Sequence, residues 1–276
     1  GDMRARGFML GGTAGRTTLN GEGLQHEDGQ SHIQSSFIPN VRSYDPTFAY
    51  EVVTVVQHGM QRMLAEQQDE YFYITLMNEN YSHPEMPEGS AEGIIKGMYL
   101  LKDAGKARKG ELRVQLLGSG TILREVIAAA DLLDADFGIK ADLWSCPSFT
   151  ELARDGVDAE RWNRFHPEAK APRKAWVTQQ LEGRSGPAIA ATDYVRTFAN
   201  QIREYVPMRY SVLGTDGYGR SDTRANLRRH FEVDRFHVAH AAVAALAADG
   251  KLTAKDVARA IKLYKLDAEK PNPLHA

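Results

Sequence analysis

Two histidines and three carboxylates fall between Glu22 and His32, in the run Asn20-Gly21-Glu22-Gly23-Leu24-Gln25-His26-Glu27-Asp28-Gly29-Gln30-Ser31-His32. An imidazole exchanges protons near neutral pH, and a neighbouring carboxylate fixes its tautomer or raises its proton affinity. The interspersed glycines let backbone approach a ligand closely. Three readings of this run stay open. It is a proton-exchanging site built on His26 and His32, with Glu22 and Asp28 beside them. It is a hydrophilic loop whose histidines are incidental. Or it is a cation site of His26, Asp28 and His32, although the strict spacing and the cysteine ligands of common zinc sites are lacking.

Other segments carry weaker signals. Gly118-Ser119-Gly120 follows an apolar run and opens a helical one, as a phosphate-binding turn does. The third glycine of a dinucleotide fingerprint would fall at Leu123, and no Gly-Lys-Ser/Thr follows, so a tight turn is the simpler account. Leu213-Gly214-Thr215-Asp216-Gly217-Tyr218-Gly219-Arg220-Ser221-Asp222 is either a loop at a sheet's carboxyl edge near a site, or a connector with a good helix cap. Arg228 and Arg229 read as a solvated helix face. Cys146 ends a strand-like run before Pro147 and has no histidine near it in sequence, which fits a buried thiol better than a nucleophile.

The elements that must position these residues are legible in outline. Residues 7–10 form a short strand, followed by a long glycine-rich stretch to about residue 34. Loops of that length inside a compact domain are usually functional or mobile. Residues 41–44 form another strand. Asp45-Pro46 opens a helix to about residue 64, with an N-cap and a proline in its first turn. Residues 71–77 form a strand. Residues 78–89 form a connector, and a boundary near residue 100 divides the chain into units of 1–99 and 100–276. Beyond it strands are predicted at 112–117, 141–146, 187–191 and 210–213. Helices are predicted at 121–133, 149–154, 159–165, 194–205, 223–230, 235–248 and 254–264. This alternation specifies an α/β fold with a mixed, mostly parallel sheet and helices on both faces.

Composition narrows the function classes. The 276 residues are 42% hydrophobic and 25% charged, which excludes wholesale disorder. Lys and Arg number 34 against 36 Asp and Glu, a net charge of −2, so no global basic field exists to hold nucleic acid or an anionic membrane. The longest apolar runs are too short to span a bilayer, and the first residues do not form a signal peptide. With one cysteine, no intrachain disulfide forms. A cytoplasmic location is the expectation.

A family resemblance adds what the residues alone do not. Gly11-Gly12-Thr13-Ala14-Gly15-Arg16-Thr17-Thr18-Leu19-Asn20 and the run through Gly29 resemble the homodimeric bacterial pyruvate dehydrogenase decarboxylating components, of the transketolase-like thiamine diphosphate superfamily. So do Asn78-Glu79-Asn80-Tyr81, Ser148 to Gly156, Leu213 to Asp222 and the ending Asp267 to Ala276, in the same order along the chain. The resemblance implies that residues 1–99 are the later part of a middle domain that holds the aminopyrimidine of thiamine diphosphate. Residues 100–276 then form a transketolase C-terminal-like domain, and the sequence is the C-terminal portion of a longer polypeptide. It implies that His26 and His32 are catalytic and that Glu22 and Asp28 border the cofactor, with no metal ligand in this chain. It further implies a homodimer that decarboxylates pyruvate with thiamine diphosphate and Mg²⁺ and passes the acetyl group to the lipoyl groups of a dihydrolipoyl acetyltransferase component. Thr215-Asp216-Gly217 lacks the continuation of the family's metal and diphosphate motif, so this chain alone is expected to be inactive and to bind no cofactor. The alternatives are a non-catalytic folding and dimerisation module, and a transketolase-type sugar transferase.

Overall fold

Short apolar runs bounded by glycine, proline and polar residues produce two sheets in the computed structural model, which describes residues 1–12 and 14–276. The first unit comprises β1 (Gly7–Gly11), α1 (Ser31–Ser36), β2 (Val41–Tyr44), α2 (Ala49–Met60), β3 (Tyr71–Thr75) and α3 (Ala91–Lys96). Its three strands are parallel, in the order β1-β3-β2. Phe72 and Ile74 of β3 are fully buried and pack with Val55 of α2 and Ile94 of α3.

The second unit comprises β4 (Tyr99–Lys102), β5 (Arg113–Gly118), α4 (Ile122–Phe137), β6 (Lys140–Ser145), α5 (Phe149–Phe165), α6 (Trp176–Leu181), β7 (Ala188–Ala191), α7 (Arg196–Asn200), β8 (Tyr210–Leu213), α8 (Arg224–His230), α9 (Arg235–Ala248) and α10 (Ala254–Leu263). The sheet order is β4-β6-β5-β7-β8, parallel except for β4, which runs antiparallel along β6. One face is covered by α4 and α9 through Val126, Leu133, Val238 and Val243, and α10 packs against α9. The other is covered by α5, α6 and α7 through Phe149, Leu152, Leu181 and Phe198. Full burial of each such side chain stabilises the fold by about 1.5–3 kcal/mol. The central strand β5 is buried along its whole length. Its one interior amide, Gln115, is satisfied: it donates to Asp142 Oδ2 (2.9 Å) and the Ser185 carbonyl (3.0 Å) and accepts from Trp144 Nε1 (2.9 Å).

Several elements depart from expectation for identifiable reasons. The two helical pieces predicted on either side of Gly156 are one helix, α5. Gly156 does not end it; a Cβ there would lie 2.2 Å from the Tyr205 ring, so the glycine admits a neighbour. Helix α2 begins at Ala49 rather than beside Asp45. Glu51 reaches back to accept from the Thr47 and Phe48 amides (2.5 and 2.9 Å), which frees Asp45 for another role. The helix expected over 194–205 shortens to α7 and a single-turn segment. Strand β4 and helix α3 carry no strong periodic signal and were not expected. Arg228 is buried, against the solvated face predicted for it.

Cys146 is fully buried, and burial pushes its thiol well above the ordinary range. Native protein is therefore expected to leave a thiol reagent unreacted over a period in which denaturant-unfolded protein is fully labelled, as read by intact mass; equal rates would contradict this placement. Among the described residues, no helix is long and apolar enough to cross a membrane.

Candidate functional site

The carboxyl ends of the parallel strands of both sheets converge on one seam. Asp45 follows β2, Thr75 ends β3, Ser119 follows β5, and Thr192 and Asp193 follow β7. This is the edge where open α/β sheets bind ligands. Here the two edges face each other, and side chains fill the gap. Asp45 is fully buried; its Oδ1 accepts from Thr75 Oγ1 (2.8 Å) and its Oδ2 from Ser119 Oγ (2.7 Å). Ser119 Oγ lies 3.1 Å from Thr192 Oγ1. The Asp45 carbonyl accepts from the Gly120 amide (3.0 Å), and its own amide donates to the Pro147 carbonyl (2.6 Å).

This contact decides between the two readings of Gly118-Ser119-Gly120. The turn is a tight one with the protein's own Asp45 packed against it: the Ser119 hydroxyl holds the Asp45 carboxyl, and the Gly120 amide goes to the Asp45 carbonyl. Gly120 has a φ of +50°, and a Cβ there would meet Asp45 Oδ2 at 2.5 Å, so glycine is needed both for conformation and for close approach. Burial pushes the Asp45 carboxyl up to about 7, against the two hydroxyl hydrogen bonds that favour its anion. Asp193, also fully buried, is pushed up to about 7 by the same desolvation; it accepts from Thr17 Oγ1 (2.7 Å) and the Thr17 amide (3.2 Å).

The glycine-rich run after β1 is fastened to the loops beyond β7 and β8. Residues 14–19 are buried. The Arg16 guanidinium donates to the carbonyls of Thr215 (2.8 Å) and Gly217, and the Arg16 amide donates to the Asp193 carbonyl (3.2 Å). Glu27 Oε2 accepts from the Arg220 amide (2.6 Å), and burial raises the Glu27 carboxyl. Arg224 donates through Nε to the Thr18 carbonyl (2.7 Å) and through Nη2 to the Asn78 carbonyl (2.6 Å). Beneath the run, Arg228 Nη2 meets Glu79 Oε2 at 2.5 Å, while Glu79 also receives Thr121 Oγ1 (2.9 Å) and Arg124 Nη1 (2.6 Å). Burial raises the Glu79 carboxyl, but these three donors outweigh it and hold the group below its usual range.

The four residues singled out in the sequence part company. Glu22 and His26 are exposed, His26 at the end of a single-turn 3₁₀ segment, Leu24–His26. Asp28 is half-buried and accepts from the Gln30 amide (3.0 Å), the Ser31 amide (2.9 Å) and Ser31 Oγ, so it caps the start of α1. His32 is fully buried. Its Nδ1 lies 2.5 Å from Ser43 Oγ and its Nε2 3.2 Å from Thr75 Oγ1; its ring stacks on Phe198 at 4.7 Å and meets Tyr194 edge-on at 4.5 Å. Burial drives its pKa down to about 3, so it is a neutral interior strut at ordinary pH. Among the described residues, no hydrogen bond or ion pair joins His26 to Glu22, Asp28 or His32. The arrangement therefore offers one exposed imidazole on a firmly held loop, with an exposed carboxylate four positions before it.

Asp45, Asp193, Arg16, Glu79 and Arg228 also belong to this seam, and their sequence neighbourhoods do not mark them as such. The one usable signal is an acid directly after a strand, at Asp45 and at Asp193.

Residues 97–234 match the family described as the transketolase-like TK C-terminal domain. That match spans half the chain and sets the class: a transketolase-like α/β protein. Residues 1–84 match the pyruvate dehydrogenase E1 component middle domain. Proteins named pyruvate dehydrogenase E1 component are 62% identical over 273 residues in Cupriavidus necator, 60% over 275 in Pseudomonas aeruginosa and 56% over 275 in Escherichia coli. Each alignment covers 99% of this chain, and the chain spans 30–31% of the length of these relatives. The chain belongs to the pyruvate dehydrogenase E1 component family. Solved structures agree on the fold: transketolase from Leishmania mexicana superposes with a TM-score of 0.61 at 15% identity, over 88% of this chain and 31% of that one. A split-gene transketolase, solved as an inactive beta4 tetramer, gives 0.56 at 15% identity over 87% of this chain and 66% of that one.

The residues present do not fit the diphosphate and Mg²⁺ of thiamine diphosphate. The strand-to-helix turn suited to a phosphate is filled by Asp45, and among the described residues no three His, Cys, Asp or Glu side chains converge to hold a cation.

Proposed function

We propose that this chain is the C-terminal part of a thiamine-diphosphate-dependent pyruvate dehydrogenase (acetyl-transferring), which decarboxylates pyruvate and reductively acetylates lipoyl groups. Residues 1–99 are the later part of its pyrimidine-binding domain and residues 100–276 its C-terminal domain. The protein works as a homodimer that passes acetyl groups to a dihydrolipoyl acetyltransferase component. The diphosphate and Mg²⁺ are held by polypeptide outside this chain, which alone is inactive.

The observation that carries this reading is the exposed imidazole of His26 on a loop anchored at the sheets' carboxyl edge. His26 takes up and returns a proton at the loop surface, with Glu22 exposed on the same loop. Asp28 and His32 act at one remove: Asp28 sets the start of α1, and His32 braces β2 and β3 behind the loop. The buried run 14–19 excludes water from beneath.

Two measurements test the proposal. Isothermal titration of thiamine diphosphate with Mg²⁺ into this chain is expected to give no saturable heat; saturable micromolar binding would overturn the assignment of the diphosphate site to polypeptide outside this chain. The full-length protein is expected to turn over pyruvate and acetylate a lipoyl domain. Turnover of a ketose phosphate instead of pyruvate would replace the proposal with the sugar-transferase reading, and no turnover of either with the non-catalytic module.

A further inference from the structure

The outer end of α5 carries chemistry that the seam does not use. Val157, Arg161 and Phe165 recur at i, i+4 and i+8 and so share one helix face. Val157 is 55% exposed and Phe165 64% exposed. The Arg161 guanidinium lies 5.0 Å and that of Arg164 5.9 Å from the Phe165 ring centre. Beyond the helix the chain folds back: Asn163 Nδ2 donates to the Arg173 carbonyl (2.9 Å), and its Oδ1 accepts from the Arg173 amide (2.7 Å). That two-way amide contact sets the Arg173 guanidinium 4.2 Å from the Trp162 ring, against which His166 stacks at 4.3 Å. Residues 157–174 hold Arg161, Arg164, Lys170, Arg173 and Lys174 against Asp158, Glu160 and Glu168, in a chain whose net charge is −2. Lys174 pairs with Glu182 at 2.6 Å; among the described residues the other four cations have no carboxylate partner.

We propose that this ridge is a docking surface for an acidic polypeptide segment with apolar side chains spaced among its carboxylates. Arginine and aromatic side chains together, already held in place by stacking and by the Asn163 contact, are the composition of interface cores rather than of ordinary solvated surface. Pre-positioned side chains lose less entropy when a partner binds. The partner's carboxylates meet Arg161, Arg164 and Arg173, and its apolar groups cover Val157 and Phe165. Nucleic acid is the poorer occupant. The chain supplies no extended basic field to draw a polyanion, the exposed aliphatic Val157 offers nothing to a base, and the Phe165 ring is already engaged by guanidinium groups. The inference is independent of the catalytic reading, since among the described residues Arg161, Arg164, Phe165 and Arg173 share no hydrogen bond or ion pair with the seam or the His26 loop.

Fluorescence anisotropy with a labelled short glutamate-rich peptide, leucine at every fourth position, tests it on this chain. Saturable binding is expected at low salt and weaker binding as salt rises. Arg161→Glu with Arg164→Glu is expected to weaken binding at least about tenfold, and Phe165→Ser by about threefold. Lys251→Glu, a charge reversal elsewhere on the surface, should leave it unchanged. Circular dichroism checks folding of each variant, and Arg161→Gln with Arg164→Gln replaces the charge reversal if that variant unfolds. Absence of binding at low salt, equal binding by the reversed or neutralised variant, or tighter binding of a single-stranded oligonucleotide of equal charge would each overturn the proposal.

Discussion

In the full-length polypeptide, His26→Ala is expected to lower acetyl transfer from pyruvate to lipoyl groups by about 100-fold or more, with cofactor affinity little changed. The expectation rests on where the side chain is. His26 is exposed at the end of a short 3₁₀ turn, and the loop beneath it is pinned through Arg16, Glu27 and Arg224. Removing the imidazole therefore takes away a proton carrier without loosening the loop. The check is a paired measurement of steady-state acetyl transfer and thiamine diphosphate binding in wild type and variant. Unchanged activity would strike His26 from the site. A parallel fall in cofactor affinity would mark it as a binding residue. His32→Gln serves as the contrast. A neutral, fully buried strut between Ser43 and Thr75 should register mainly as lost stability.

Asp45→Ala should destabilise the fold by about 3 kcal/mol, from two lost hydrogen bonds to a buried carboxyl group at about 1.5 kcal/mol each. Urea unfolding monitored by tryptophan fluorescence measures this, and a loss well under 1 kcal/mol would contradict the role given to the seam. The effect also has a pH signature. The folded-state value, about 7, lies above the 3.8 of the free group. The native state thus holds this proton more tightly than the unfolded chain. The stability linked to it is complete below about pH 4 and is lost as pH rises through about 7. The structure accommodates the neutral acid, because the Ser119 hydroxyl can turn toward Thr192 Oγ1 (3.1 Å) and that of Thr75 toward the Tyr44 carbonyl (3.3 Å). Wild-type stability minus that of Asp45→Asn should therefore decline by about 2–4 kcal/mol between pH 4 and 8. Taking the difference cancels His32, whose depressed value acts in the opposite sense as pH falls. A difference independent of pH would contradict the assignment.

The α/β class, most strands and the helices over 235–248 and 254–264 were legible because local periodicity encodes them. Helix α5 was read in two parts because glycine serves both as a stop and as a space for a neighbour, and only the distant Tyr205 distinguishes the two. The Gly-x-Gly turn was recognised, but not what fills it: Asp45 lies 74 positions from Ser119, and no local pattern links them. Arg228 looked solvated because its partners, Glu79 and Glu125, come from other elements. The glycine-rich run stands out in the sequence as a candidate site, and the structure divides its residues by burial. His26 and His32 are equivalent by residue type and opposite by environment, a difference that side-chain spacing does not report.

An acid side chain seated at the head of α4 from within the same polypeptide has a further consequence. A tethered ligand competes at an effective concentration of millimolar or higher, and it never diffuses away. A free solute would have to displace Asp45 to reach that turn. What related topologies use as an exchangeable docking point for a metabolite is here a permanent hinge pin between two sheets, indifferent to the metabolic state around it.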